Sequence, residues 1–452
     1  MLTRLFVGLS SLWGVVALAC GWLGAPLASA QHIDLASSPE QWYQRVGSSD
    51  FDMQRAVDIA DYCGPNEADA TSCVLEWIQA ATAASTDGTV HLFASAGSYG
   101  VAGGIALQSG MHLRCASQDV VFRSLDQQPI FADRQTVDVL EDILVEGCAF
   151  DTYGEPSRTA TVFLVDRATG VTFRNNRIFD SGGLPCDSRE CRRDYTRMFR
   201  VQDVLIANNH FSQGGGLQVQ GPGRRVVVRD NFLDFVSGVG ISLRSRAGEN
   251  WPDGTNVSED YLIEGNTIGN PLTYGIAVGV LGDGSGVTTR RVTLLNNTIV
   301  GTTAQCVGAR LPEHAADFFI GNTRCDVQTR LGEYCSGIHL FQTSGVDPTN
   351  DTDLRGTLFR NHIESNTFGF GVAGIFIDSL DACLIRNTVR NAGVSVWTRD
   401  DAKAYLDEAS LANVGGQAWG AGQKRMDSDE EVPLDSLSGE CPGPDFLAPA
   451  YP

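Results

Sequence analysis

Lysine is almost missing from this 452-residue chain: Lys403 and Lys424 are the only two. Arginine therefore carries nearly all the positive charge. The 33 basic residues are outnumbered by 54 acidic ones, leaving a net charge of −21 at pH 7. A surface of that sign repels nucleic acid and anionic bilayers, so neither is expected as a partner of the chain as a whole. Beyond the first thirty residues, no stretch approaches the ~20 uninterrupted apolar residues that a membrane-crossing helix needs. No CxxC pair and no histidine cluster at zinc spacing is present, which weakens any reading of the cysteines as metal ligands. The middle of the chain also has almost none of the 3.6-residue apolar periodicity that helical repeats require.

The N-terminus is apolar. Arg4, the run from Leu5 to Leu23 and the small residues Ala28-Ser29-Ala30 have the layout of an export signal, with the mature chain beginning at Gln31. Cys20, after Ala17-Leu18-Ala19, is a poor lipidation site. The protein is therefore expected to be secreted or periplasmic, in a compartment where cysteines pair. Of the 12 cysteines, Cys63 with Cys73 and Cys186 with Cys191 bracket short loops. The odd number outside the signal leaves at least one thiol over.

One pattern recurs along the middle of the chain: three or four residues rich in Val, Ile, Leu and Phe, a polar or glycine position, then asparagine. It ends at Asn176, Asn209, Asn231, Asn266, Asn297, Asn322, Asn361 and Asn387, and ILVEGC ends on Cys148 in the asparagine slot. The smallest spacing, 22 residues, is a bare coil, and the excess elsewhere is loop. Each unit reads as a strand closed by a turn residue, unable to bury its apolar face without stacking on its neighbours. Asparagine at the turn tolerates left-handed backbone and lets stacked amides bond along the axis. A second set of strands aligns as GLQVQ from Gly216, GISLR from Gly240, GIAVG from Gly275, CVGAR from Cys306, GIHLF from Gly337, GIFID from Gly374 and GVSVW from Gly393.

At the N-terminal end of the repeats, helical spacing from Glu40 to Ala84, with Trp77 and Ile78 as core contacts, predicts a cap on the first coil. DGTVHLFASAGSY from Asp87 and GGIALQSGMHLRC from Gly103 resemble the opening of the pectate-lyase-like (pectin lyase fold) superfamily. The resemblance runs from about Asp69 to Trp397 and implies an all-β, right-handed parallel β-helix of about nine to eleven coils. The expected organisation is a signal over 1–30, a segment with capping helices over 31–86, the β-helix over 87–398, and a short helix (Asp400 to Val414) with an acidic mobile tail over 399–452. That superfamily holds lyases, hydrolases, epimerases, tailspikes and adhesins, so the scaffold alone does not choose a reaction.

Strand alternation places every second side chain outside. One outward column is predicted as Gln218, Ser242, Ala277, Gly308, His339, Phe376 and Ser395, and its neighbour as Gln220, Arg244, Gly279, Arg310, Phe341, Asp378 and Trp397. Ala277, Gly279 and Gly308 would leave a depression walled by Arg244, Arg310, His339 and Phe341. Coils repeat at about 4.8 Å, near the rise of one sugar in many polysaccharides. β-Elimination from a uronate needs a cation for the carboxylate, a base for the C5 proton and an acid for the leaving oxygen. Arginine supplies the fork, and His339 or His314 titrates in the right range. Arg310-Leu311-Pro312-Glu313-His314-Ala315 resembles the first half of the RxPxxR element of pectate lyases, which implies a catalytic base at Arg310, although Ala315 replaces the second arginine.

Arg310, His339 and His314 are thus the catalytic candidates. Arg244, Arg246, Tyr195, Arg193, Arg197 and Phe341 are candidates for binding an anionic polysaccharide. Tyr195, Arg193 and Arg197 belong to an arginine-rich segment with Arg189, Arg192 and Arg200, read as a loop that forms an anion-binding wall. The plainer reading of each is a solvated surface residue. Asp378 with Asp381 is a candidate Ca2+ pair; otherwise no cofactor is expected. A glycoside hydrolase would need two facing carboxylates, for which Asp378, Asp317, Glu313 and Asp283 are available without an evident pair. The remaining alternative is a glycan-binding surface protein without catalysis.

Overall fold

The computed structural model describes Val46, residues 50–302 apart from short loop segments, and from 303 onward chiefly the strands as far as Val432. The chain winds into a right-handed parallel β-helix with three faces. The first and second faces form one 21-stranded sheet, because Phe163–Arg174, Asp194–Ala207 and Gly216–Arg229 run unbroken round the corner between them. The third face is a ten-stranded sheet of short strands, from Ser98–Val101 to Thr388–Arg390. Inward residues such as Val171, Phe173, Val204, Ile206, Val226 and Val228 have no exposed surface. Inside the helix, Phe122, Phe150 and Phe173 stack at 6.1 Å from coil to coil, so the interior is filled.

The asparagine repeat lies at the corner between the second and third faces, where the labour is divided between two residues. Asn175, Asn208, Asp230, Gly265 and Asn296 take the left-handed backbone. The asparagine that follows each is buried and forms the ladder. Asn209 Nδ2 donates to Asn231 Oδ1 (3.0 Å), Asn231 Nδ2 to Asn266 Oδ1 (2.9 Å) and Asn266 Nδ2 to Asn297 Oδ1 (2.9 Å). Cys148 occupies the ladder position one coil before Asn176, and it is disulfide-bonded to Cys115 of the coil before that. A covalent link thus takes over where the amides stop.

The cap is shorter than expected. Helix α1 spans Thr71–Ala84 and buries Val74, Trp77, Ile78 and Ala81, with Trp77 Nε1 donating to Val57 O at 2.8 Å. Among the described residues before it there is only a 3-10 turn at Ile59–Asp61 and the strand Val57–Asp58, which pairs with Leu92 and Phe93. Gly64-Pro65-Asn66 accounts for the break: proline removes an amide donor and Asn66 is left-handed. Cys63–Cys73 ties this turn to the helix.

Three further expectations are corrected. Phe319–Ile320, the strand expected to lead into Asn322, is not a coil strand but belongs to a separate two-stranded sheet, and Asn322 lies outside the described residues. Tyr274–Leu281 pairs directly with Ser336–Gln342, and Thr288–Leu295 with Arg355–Phe359, which leaves no layer for 303–335. Within that insertion, Phe319–Ile320 and Thr323–Arg324 pair antiparallel. The helix expected from Asp400 is instead a strand at Lys403–Leu406, laid parallel on Asp381–Leu384; Ala404 and Leu406 alternate with Lys403 and Tyr405, a period of two. Nor is the tail wholly loose: Gln423–Arg425 adds to the first face and pairs antiparallel with Glu431–Val432.

Candidate functional site

Two outward columns run along the first face in continuous register. One reads Arg197, Gln218, Ser242, Ala277, His339, Phe376 and Trp397; the other Phe199, Gln220, Arg244, Gly279, Phe341, Asp378 and Arg399. Arg244 and His339 therefore share a face, two coils apart, about 10 Å along the axis and ~7 Å along the strand direction. Arg246 continues the strand beyond Arg244, opposite Leu281.

The register differs from the sequence reading in two places. Gly279 pairs with Phe341, so neither Gly308 nor Arg310 stands between them. In the last strand Ser395, not Gly393, lies beside Gly374, which moves Trp397 and Arg399 into the columns. Arg310, His314 and Arg193 lie outside the described residues.

The middle of this face is covered rather than open. Ser242 and Ala277 are fully buried, Gln218 nearly so, and Arg244 is only 6% exposed. Tyr195 is corrected outright. It belongs to the strand Asp194–Ala207, is fully buried, and donates its hydroxyl to Ser212 O at 2.9 Å, so it is a core residue and not part of a surface wall. Arg200, from the same arginine-rich segment, is engaged with Asp166 of the preceding coil, and Arg225 grips Asp203 in the same way at 2.5 and 2.6 Å. These arginines tie coils together at a corner. Asp378 and Asp381 end one strand and begin the next, with Arg399 and Arg355 as their register neighbours.

The third face, by contrast, displays its side chains, and sequence reasoning passed it over. The residues one and three positions after each ladder asparagine point outward: Arg177 and Phe179, His210 and Ser212, Phe232 and Asp234, Thr267 and Gly269, Thr298 and Val300. Phe232 is 43% exposed and Val300 37%. The Arg177 guanidinium lies 4.8 Å from the Phe179 ring centroid, and His210 meets Phe232 edge-on at 5.0 Å. Burial first, and Arg177 second, hold the His210 imidazole below its ordinary pKa, while Asp234 works against both. The usable signal was the short N-x-φ-x string that follows each turn.

No family model matches the chain, and no curated protein does. Solved structures do. The surface adhesin PfbA of Streptococcus pneumoniae is 14% identical, with 84% of this chain and 94% of that one covered at a TM-score of 0.51. A tailspike mutant of E. coli bacteriophage HK620, determined in complex with a hexasaccharide, is 12% identical, with 79% and 66% covered at 0.53. A Thermotoga maritima exopolygalacturonase is 13% identical, with 87% and 96% covered at 0.46. The chain has the pectin-lyase-like fold. At such identities the likeness establishes the fold alone.

Among the described residues the interior is packed with inward side chains, which leaves the outer faces for a ligand. The second face is occupied by its own N-terminal segment. Phe51 contacts His91 at 5.3 Å and carries the Arg114 guanidinium at 4.8 Å. Val46 packs with Leu205, Ala207, Val227 and Leu262 further along the axis. On the first face Arg244 and His339 occupy neighbouring columns two coils apart, with Arg244 largely buried. The third offers exposed rings among charges.

Proposed function

We propose that the protein acts outside the cell on an anionic polysaccharide, as a polysaccharide lyase whose reaction occurs on the first face. The observation that carries this reading is the placement of Arg244 and His339 on one face of a β-helix, two coils apart, with Phe341 in the column of Arg244. The export-like N-terminus and the two disulfides support an extracellular place.

In this reading Arg244 binds the uronate carboxylate with its planar fork and so acidifies the adjacent C5–H. Neutral His339 takes the C5 proton. The C5–H electron pair becomes the C4–C5 double bond, the C4–O bond breaks, and the leaving oxygen receives the proton from the imidazolium. Return of the proton to the opposite face of C5, without C4–O cleavage, would be epimerisation.

The test is to incubate the mature protein with a panel of uronate polymers and follow the ultraviolet absorbance of the unsaturated product. Arg244→Ala and His339→Ala should abolish it. Absence of unsaturated product on every polymer, with no epimerised residue by NMR, refutes the reading. A second reading, glycan binding without catalysis, is favoured by the burial of Ser242 and Ala277, which leaves the middle of the first face covered. Measurable affinity with no product would select it.

A further inference from the structure

We propose that the third face is a second glycan-binding surface, taking an acidic oligosaccharide that lies along the axis over Arg177, Phe179, His210 and Phe232. This goes beyond the first-face reading and does not depend on it.

The argument begins with exposure. Val46 covers outward residues of the second face, and those in the middle of the first face are buried, yet Phe232 and Arg177 stand in solvent two coils apart on the third. Exposing a phenylalanine on a strand forfeits the burial energy of a large ring, so a row that does so is a candidate for occupation. The rings are also held in place. Phe179 is capped by Arg177 and Phe232 is met edge-on by His210, so a ligand would find them largely ordered.

Charge identifies the ligand. Arg55, Arg114, Arg123, Arg174, Arg200, Arg224 and Arg225 each face a carboxylate of the chain. Arg177 does not: among the described residues no ion pair with a carboxylate is seen for it, and its guanidinium lies over the Phe179 ring and near His210. In a chain of net charge −21, a guanidinium left without an acid beside aromatic rings is complementary to an anion that also has an apolar surface. A uronate has both, a carboxylate for Arg177 and C–H faces for the rings. Spacing agrees: Arg177, His210 and Phe232 lie on three successive coils at intervals of about 4.8 Å, near one sugar per coil. A protein partner would call for a contiguous apolar patch, whereas here Ser212 and Asp234 fill the column beside His210 and Phe232, and Thr267 follows Phe232.

The experiment is calorimetric titration of the full chain with hexamers of galacturonate, mannuronate and guluronate, and with neutral hexamers of matched length. At least one uronate hexamer should bind. Phe232→Ala and Arg177→Gln should each weaken it roughly five-fold, with melting unchanged because both side chains are exposed. By NMR, the depressed pKa of His210 should rise on binding, since a carboxylate then lies beside it. Wild-type affinity in both variants, equal binding of neutral hexamers, or no uronate binding overturns the proposal. Arg244→Ala separates the two surfaces: it should abolish product from the first face and leave the His210 response intact. If it abolishes the His210 response, the third-face site is refuted while the first-face reading stands.

Discussion

Replacing Asn231 by alanine tests what holds successive coils together. Its side chain is 1% exposed and makes four hydrogen bonds. Nδ2 donates to Ile206 O (3.0 Å) and Asn266 Oδ1 (2.9 Å), while Oδ1 accepts from Asn209 N and Asn209 Nδ2 (3.0 Å each). The alanine strands two buried backbone groups, the Asn209 N–H and the Ile206 carbonyl, each costing about 1–3 kcal/mol. The loss should therefore be roughly 4 kcal/mol. Neighbouring ladder bonds, such as Asn266 Nδ2 to Asn297 Oδ1, persist, so the damage is local to the coils of Asn209 and Asn231. Urea unfolding followed by circular dichroism gives the total, and hydrogen exchange at the Asn209 amide gives the local part. The control is Asn208→Gly, one residue from the ladder, where φ is 56° and glycine fits without strain; it should change stability by less than about 0.5 kcal/mol. If Asn231→Ala costs under ~1 kcal/mol with an unchanged denaturant slope, the ladder is not what couples the coils.

Two further predictions concern the N-terminal coils. The Cys115–Cys148 bridge spans 33 residues, so the double alanine variant should lose about 3–4 kcal/mol by loop-closure entropy, read as a lowered urea midpoint under oxidising conditions that leave Cys63–Cys73 intact. His91 is buried against Phe51 and His112, accepts a hydrogen bond from Asp52 N at 3.3 Å, and has its pKa lowered chiefly by burial. The unfolded chain therefore binds the proton more tightly. Stability is full above the ordinary imidazole value of about 6.5 and falls as pH drops through the window below it. His91→Gln, which keeps an acceptor for Asp52 N, should flatten the fall in melting temperature between about pH 7.5 and pH 5; an unchanged slope would show that His91 does not contribute.

The sequence made the coil legible because its inward residues and turn asparagines recur whatever the loop length. It did not reveal which turn residue does what. The left-handed position of Asn175, Asn208 and Asp230 and the ladder position of Asn176, Asn209 and Asn231 are adjacent and often both asparagine, so only the backbone tells them apart. Register was the harder problem. FFIGN imitates a coil, but its Phe319–Ile320 pairs antiparallel with Thr323–Arg324, and whether 303–335 is a layer or an insertion is decided by the pairing of Gly279 with Phe341, a long-range fact. Gly240 and Gly275 do align, for a steric reason. A Cβ on Gly240 would lie 2.8 Å from Ile268 Cγ2, and one on Gly275 2.5 Å from Ile299 Cγ2. The last coil has Ser395 in that slot, so aligning by Gly393 shifted Trp397 by two residues.

The third face escaped notice because its strands are short: Arg177–Phe179 and Thr267–Gly269 have three residues each, too few for alternation to register. Their function follows from that brevity. A three-residue strand has one inward side chain, Ile178 or Ile268, which anchors the coil, and two outward ones that owe nothing to the core. Elsewhere arginines are drawn into the fold: Arg200 onto Asp166 at the corner, and Arg244 of the first face beneath a covered surface. On the third face the flat, untethered positions leave Arg177 and Phe232 exposed. Lengthening the inward contact there would not improve binding; changing the outward pair would. Affinity on this face should therefore vary with substitutions at Arg177 and Phe232 that leave the melting temperature alone, a separation that residues embedded in the first face cannot show.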